Sequence, residues 1–365
     1  MGPAAPAAIF TPASPSPIVV RAAHGKLNLM LSVGGPAPAD APRPGFHPIA
    51  SWMSAIDLAD EVRVERLEPG IPSRLTVRWA DDAPRPSPID WPPDRDLAAR
   101  AHGLLEAHAA RPLPAAIDLV KRLPVGGGLG GGSSDAAATL LALDAAFALA
   151  LPHATLVALG AQLGSDVPFF LGPRADGTTP AAAPPPALVT GMGETLAPMA
   201  PVPGEVVLII PDFGCATGPV YATFDALVAE AARRREVEHA LKIAATGTKS
   251  RPPEPQRARP DLILKRHAKM ANHGALSDDL LFNDLALAAY AVEPRLGALV
   301  TALSNATRQT AHVTGSGSCV FLPTSRAHAD RLLRRVSLLL ETLRSGAGPL
   351  AGVRIVALRA RLIGG

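Results

Sequence analysis

Leu123-Pro-Val-Gly-Gly-Gly-Leu-Gly-Gly-Gly-Ser-Ser-Asp-Ala-Ala-Ala138 decides how this chain is read. Six of the seven residues from 126 to 132 are glycine, so the backbone can come close to a ligand with no side chains in the way. Residues 116–121 before it have strand spacing, and residues 134–149 after it are rich in Ala and Leu and predict a helix. Strand, glycine loop and helix in that order leave free backbone amides at a helix start, which is an anion site. Ser133, Ser134 and Asp135 are expected to cap that start. Linkers do not usually stand between a buried strand and an Ala-rich helix, which argues against a merely flexible connection.

Two common phosphate loops are excluded. Residues 126–131 fit G-x-G-x-x-G, but no acidic residue ends a second strand about 20 residues on, as a dinucleotide site requires. The other loop closes on Gly-Lys-Ser/Thr, and residues 123–151 hold no lysine. Further out, Gly25-Lys-Leu-Asn-Leu29 places Lys26 and Asn28 on one face of a strand, because side chains repeat every second residue. Gly164-Ser-Asp-Val-Pro-Phe-Phe170 sets Asp166 in a proline-locked loop, and Thr314-Gly-Ser-Gly-Ser318 lies between two expected strands. Taken singly, these read as a solvated lysine, a turn aspartate and a hairpin bend.

Taken together and in this order, they resemble the GHMP family of small-molecule kinases. The resemblance runs from about residue 19 to 358, outside insertions near 174–186 and 228–275. It implies an α+β GHMP kinase fold of two domains: an N-terminal mixed-sheet nucleotide-binding domain at 18–185 and a C-terminal ferredoxin-like α+β domain at 186–365. The tripled glycines, the Gly-Ser-Asp-Val-Pro-Phe-Phe segment and Gly191-Met-Gly-Glu194 are similar to one branch of that family. Its acceptor is the tertiary hydroxyl of a methylerythritol unit carrying cytidine diphosphate, in the mevalonate-independent route to isoprenoid precursors.

The resemblance implies the site residues. ATP would lie on Pro124, Val125, Gly126, Gly127, Gly128, Leu129, Gly130, Gly131, Gly132, Ser133 and Ser134, with Gly315, Ser316 and Gly317 close to its phosphates. Asp166 would take the hydroxyl proton beside Lys26, and Ser134 would offer its hydroxyl to Mg²⁺. Asn28, Phe46, His47, Thr217 and Tyr221 would contact the substrate, the two rings sandwiching cytosine while His47 bonds its edge. Asp96 stands where the family has asparagine. The alternatives are a GHMP kinase for another small alcohol and a catalytically silent nucleotide- or nucleic-acid-binding protein.

Composition sets the outer bounds. At about 100–200 residues per domain, 365 residues suggest two domains. Apolar residues make up 48% but aromatics only 4%, so the cores must be packed mainly from Ala, Leu and Val. Two cysteines, Cys215 and Cys319, cannot build a disulfide framework or a four-ligand zinc site, so a cytoplasmic location is expected. There is no run of 18 apolar residues, so no membrane span is expected. Residues 1–17 read as a disordered leader.

Residues 233–269 carry eleven Lys/Arg against four Asp/Glu and a proline-rich run at 251–260, and read as a flexible surface insertion. The stretch has no aromatic residue for base stacking, so no nucleic-acid partner is expected. The N-terminal region predicts a hairpin of strands at 17–22 and 27–33 broken at Gly25, then strands at 60–67 and 74–79 around Pro69-Gly70.

Overall fold

The structure, a computed structural model, describes residues 17–363 other than 42, 173–182 and 247–255, with backbone alone at 240–246. The expected leader apart from residue 17, most of the first insertion and residues 247–255 of the basic stretch lie outside these.

The first half runs β1 (Val19–Val33), β2 (Ile49–Arg66), β3 (Arg74–Trp79), α1 (Leu97–Ala109), β4 (Ala115–Lys121), α2 (Gly131–Ala146), α3 (His153–Leu163), α4 (Val167–Leu171), β5 (Ala187–Gly191) and β6 (Thr195–Pro198). The second runs β7 (Glu205–Pro211), α5 (Thr217–Thr246), α6 (Pro260–His273), β8 (Phe282–Asn283), α7 (Ala286–Val292), α8 (Pro294–Thr307), β9 (His312–Val313), β10 (Val320–Thr324), α9 (Ala329–Ser345) and β11 (Ile355–Ile363). This is an α+β fold with a mixed sheet: β3 and β4 are parallel, whereas β1, β4, β5 and β11 all pair antiparallel with β2. β5 and β6, just past residue 186, therefore belong to the sheet of the first half.

Two strand expectations are corrected. Gly25 does not break a hairpin: β1 is one strand through it, with a register shift between His24 and Lys26 against β2. A side chain at 25 would meet Leu123 and Ile56, so the glycine admits close packing where a break was expected. The strands flanking Pro69-Gly70 do not pair with each other, because β4 lies between β2 and β3.

The basic stretch is also corrected. Although α5 and residues up to 246 extend the charged helix, α6 turns back into the interior. Its Ile263 and Met270 are fully buried in a core shared with Leu27, Trp52, Leu208 and Phe321. Each such side chain contributes about 1.5–3 kcal/mol by leaving water. His267 meets the Trp52 ring edge-on at 4.8 Å and bonds the Ala200 carbonyl at 2.9 Å. Gln256 Nε2 donates to the Val33 carbonyl at 3.0 Å, and Arg259 pairs with Asp284 at 2.8 Å. The end of this insertion is thus fastened to β1 and cannot be removed neutrally.

Candidate active site

β4 delivers the chain into the glycine loop. Gly126, Gly128 and Gly130 have φ of 71°, 76° and 72°, a region that strongly favours glycine. A Cβ on Gly128 would overlap the Thr314 carbonyl, so the two glycine clusters interlock. Gly130 is the N-cap of α2, and no side chain caps that end. The caps expected from Ser133, Ser134 and Asp135 are not formed. The first-turn amides of α2 are left for a ligand, at the positive end of a 16-residue helix.

Asp135 instead joins a buried ionic cluster beneath the loop. Lys121 bonds both Asp60 and Asp135, and Asp60 Oδ1 also accepts from the Leu123 amide at 2.7 Å. The cluster ties the loop's entry to its exit. Burial works against the Lys121 charge, but the two carboxylates outweigh it and raise the ammonium's pKa. Burial, helped by Asp60, pushes the Asp135 carboxyl well up. Its Oδ1 is buried without a hydrogen-bond partner among the described residues.

Across the loop, Lys26 Nζ lies 3.5 Å from Asp166 Oδ2 and bonds Asn28 Oδ1. Asn28 is held in turn by Ser51 at 2.8 Å and by the Thr314 hydroxyl at 3.0 Å. Asp166 is fixed from behind by α4, whose Val167 and Phe169 are fully buried. The turn between β5 and β6 packs on its neighbour, since a Cβ on Gly193 would overlap the Ser165 carbonyl.

The far wall comes from α5 and the loop after β1. His47 Nε2 is 2.7 Å from Asp225 Oδ1, and its ring lies 4.8 Å from that of Tyr221. Burial and the charge of Asp166 push the Tyr221 phenol up to about 12. Phe46 stands 55% exposed at the lip. Thr217 and Ser316 share a hydroxyl hydrogen bond of 3.0 Å.

One cavity of about 850 Å³ gathers Lys26, Asn28, Phe46, His47, residues 124–133, Asp166, Thr217, Tyr221, Gly315 and Ser316. It does not include Ser134 or Gly317. Ser134 is buried behind the loop, beside a small cleft lined by Val20 and His24, and Gly317 backs onto Leu296. Sequence reasoning missed Lys121, Asp60, Trp91 and Asp225. Asp225 was within reach, because it stands one helical turn beyond Tyr221. Asp96 caps α1 through the Ala98 amide and accepts from the Trp91 indole at 2.9 Å, so both its oxygens are engaged. Among the described residues no three His, Cys, Asp or Glu side chains cluster as a metal cage, and no helix is long and apolar enough to cross a membrane.

Residues 96–172 match the GHMP kinases N terminal domain family. The chain is 33% identical over 336 residues to the 4-diphosphocytidyl-2-C-methyl-D-erythritol kinase of Mycolicibacterium gilvum (strain PYR-GCK), covering 91% of each chain. It is 34% identical over 352 residues to the enzyme of that name from Thermobifida fusca (strain YX), covering 94% of this chain and 99% of the relative. The crystal structure of a 4-(cytidine 5'-diphospho)-2C-methyl-D-erythritol kinase superposes with a TM-score of 0.62 at 26% identity, over 94% of this chain and 99% of the other. With a glycine loop over a helix start and the Lys26–Asp166 pair in one cavity, the chain belongs to the GHMP kinases, in the branch of the 4-diphosphocytidyl-2-C-methyl-D-erythritol kinases.

Proposed function

We propose that the chain transfers the γ-phosphoryl group of ATP to the tertiary hydroxyl of 4-diphosphocytidyl-2-C-methyl-D-erythritol. The observation that carries this reading is the 3.5 Å pair of Lys26 and Asp166, facing the open amides of α2 across one cavity. Asp166 accepts the hydroxyl proton as the substrate oxygen bonds to the γ-phosphorus. The bond to the β–γ bridging oxygen breaks, and ADP leaves with that oxygen. Lys26 and the α2 amides stabilise the charge on the transferring group, where fixed donors act most strongly.

Mg²⁺ bound to ATP would neutralise phosphate charge. Its Ser134 ligand is withdrawn, because that hydroxyl lies outside the cavity. Mg²⁺ is commonly held by one or two carboxylates plus substrate phosphates, and the partly exposed Asp166 carboxylate at the cavity wall fits that donor set, whereas the Asp135 carboxyl is buried and bonded to Lys121. Phe46 and Tyr221 take the cytosine between them. With Asp225 accepting from Nε2–H, the His47 tautomer that carries its proton on Nε2 leaves Nδ1 as an acceptor, which suits the exocyclic amine of cytosine and not the carbonyl of uracil. A coupled ADP-release assay tests the reading: release should require the diphosphocytidyl substrate. Equal release without it, or with mevalonate in its place, would refute the assignment.

A further inference from the structure

A second cleft, of about 910 Å³, opens at the other end of the C-terminal strands. It is lined by the first residue of β7, the last of β10 and the end of β11, whereas Gly315 and Ser316, which line the first cavity, precede β10. The seven residues of β7 separate the two ends, roughly 20 Å at ~3.3 Å per residue.

Arg326, Arg331, Arg335 and Arg361 face this cleft. Arg361 is paired with Asp57 at 2.8 Å, but Arg326, Arg331 and Arg335 make no ion pair or hydrogen bond among the described residues. Arg331 and Arg335 are one turn apart on α9, so both reach the same space. The acidic side chains at the rim do not neutralise them. Glu205 is engaged by Arg359 at 2.7 Å; Asp278, which accepts the Thr310 amide at 2.9 Å, keeps its charge but offsets only one of the three guanidiniums. Between the charges the wall is apolar, built from Leu276, Leu332, Leu362 and Pro323. Three unpaired guanidiniums match the charge of a diphosphate and bind its oxygens in forked geometry, while the leucines suit a short hydrocarbon.

We propose that this cleft is a second ligand site, taking the diphosphate ester of a small apolar alcohol. The test is calorimetry on the full chain with a non-hydrolysable ATP analogue saturating the catalytic cavity. Pentyl diphosphate and inorganic pyrophosphate are then titrated separately. Pentyl diphosphate is expected to bind once per chain, about tenfold tighter than pyrophosphate, each buried methylene adding to affinity. The exposed double variant Arg331→Ala/Arg335→Ala should lose about tenfold or more of that affinity through its missing charge-assisted bonds, with turnover and melting temperature kept. Absence of binding beyond the catalytic cavity, equal affinity of the two probes, or an unchanged affinity in the variant would each overturn the proposal.

Discussion

Lys26 and Lys121 lie on either side of the same glycine loop and do opposite work. Lys121 is closed in by two carboxylates with 0% and 4% of their side chains exposed. Lys26 faces one, Asp166, which is 26% exposed and stands 3.5 Å away. An ammonium that must hold the loop is fully committed to its partners. The one proposed to meet a passing phosphoryl group keeps a longer contact, 3.5 Å, to a partly exposed partner. The lesson is that burial of a lysine says little until its partners' exposure is read with it.

The comparison breaks if the two lysines exchange phenotypes. Asp166→Asn should lower turnover by about two to four orders of magnitude, the usual contribution of a positioned proton acceptor, with the unfolding curve kept. Lys26→Met should follow it, losing kcat more than ATP affinity, which single-turnover kinetics and calorimetry would separate. Lys121→Met should show the reverse emphasis. Leaving two carboxylates buried without their cation costs about 3–5 kcal/mol, read as a lower urea midpoint. A Lys121→Met protein of unchanged stability would mean that the cluster does not hold the loop.

His312 sharpens the point from the other direction. It is buried with no partner for Nε2 among the described residues, and burial lowers its pKa to about 4 from 6.5. Between those values the unfolded chain carries a proton that the folded chain refuses, so stability rises with pH across that window and falls on acidification. At about 1.4 kcal/mol per unit the loss is roughly 3 kcal/mol. His312→Phe should flatten this part of the stability profile, and an unaltered slope would assign it to other groups. The smallest effect expected is at the far wall: Tyr221→Ala or Phe46→Ala should weaken the diphosphocytidyl substrate by about 1–3 kcal/mol and spare ATP. Unaltered Michaelis constants would place the base elsewhere.

The glycine loop was legible because its need is local: positive φ at 126, 128 and 130 is written into the residue type. Lys26 and Asn28 were legible through strand spacing. What holds them was not, because Ser51 and Thr314, which seat Asn28, and Asp60, which ties down the loop's entry, come from distant chain positions that topology alone brings near. α6 was hidden by its charges and prolines, although Ile263, His267 and Met270 recur at helical spacing and make its buried face. Charge count described the solvent side of that helix and concealed the other. Gly25 misled for a related reason, since its neighbours across the sheet, and not its own flexibility, decide that β1 runs on.

β2 carries a consequence for descent. Its 18 residues bond β1, β4 and β5 from the first half and, at Ile56, β11 from the chain's far end. A recombination event that exchanged everything after residue 186 between two relatives would also exchange the strand that must register on Ala55 and Ile56. It would replace Leu208 and Phe321, which share a core with Trp52, as well. The two halves are therefore poor currency for domain shuffling: they must be inherited as one piece, changing in step along a single strand.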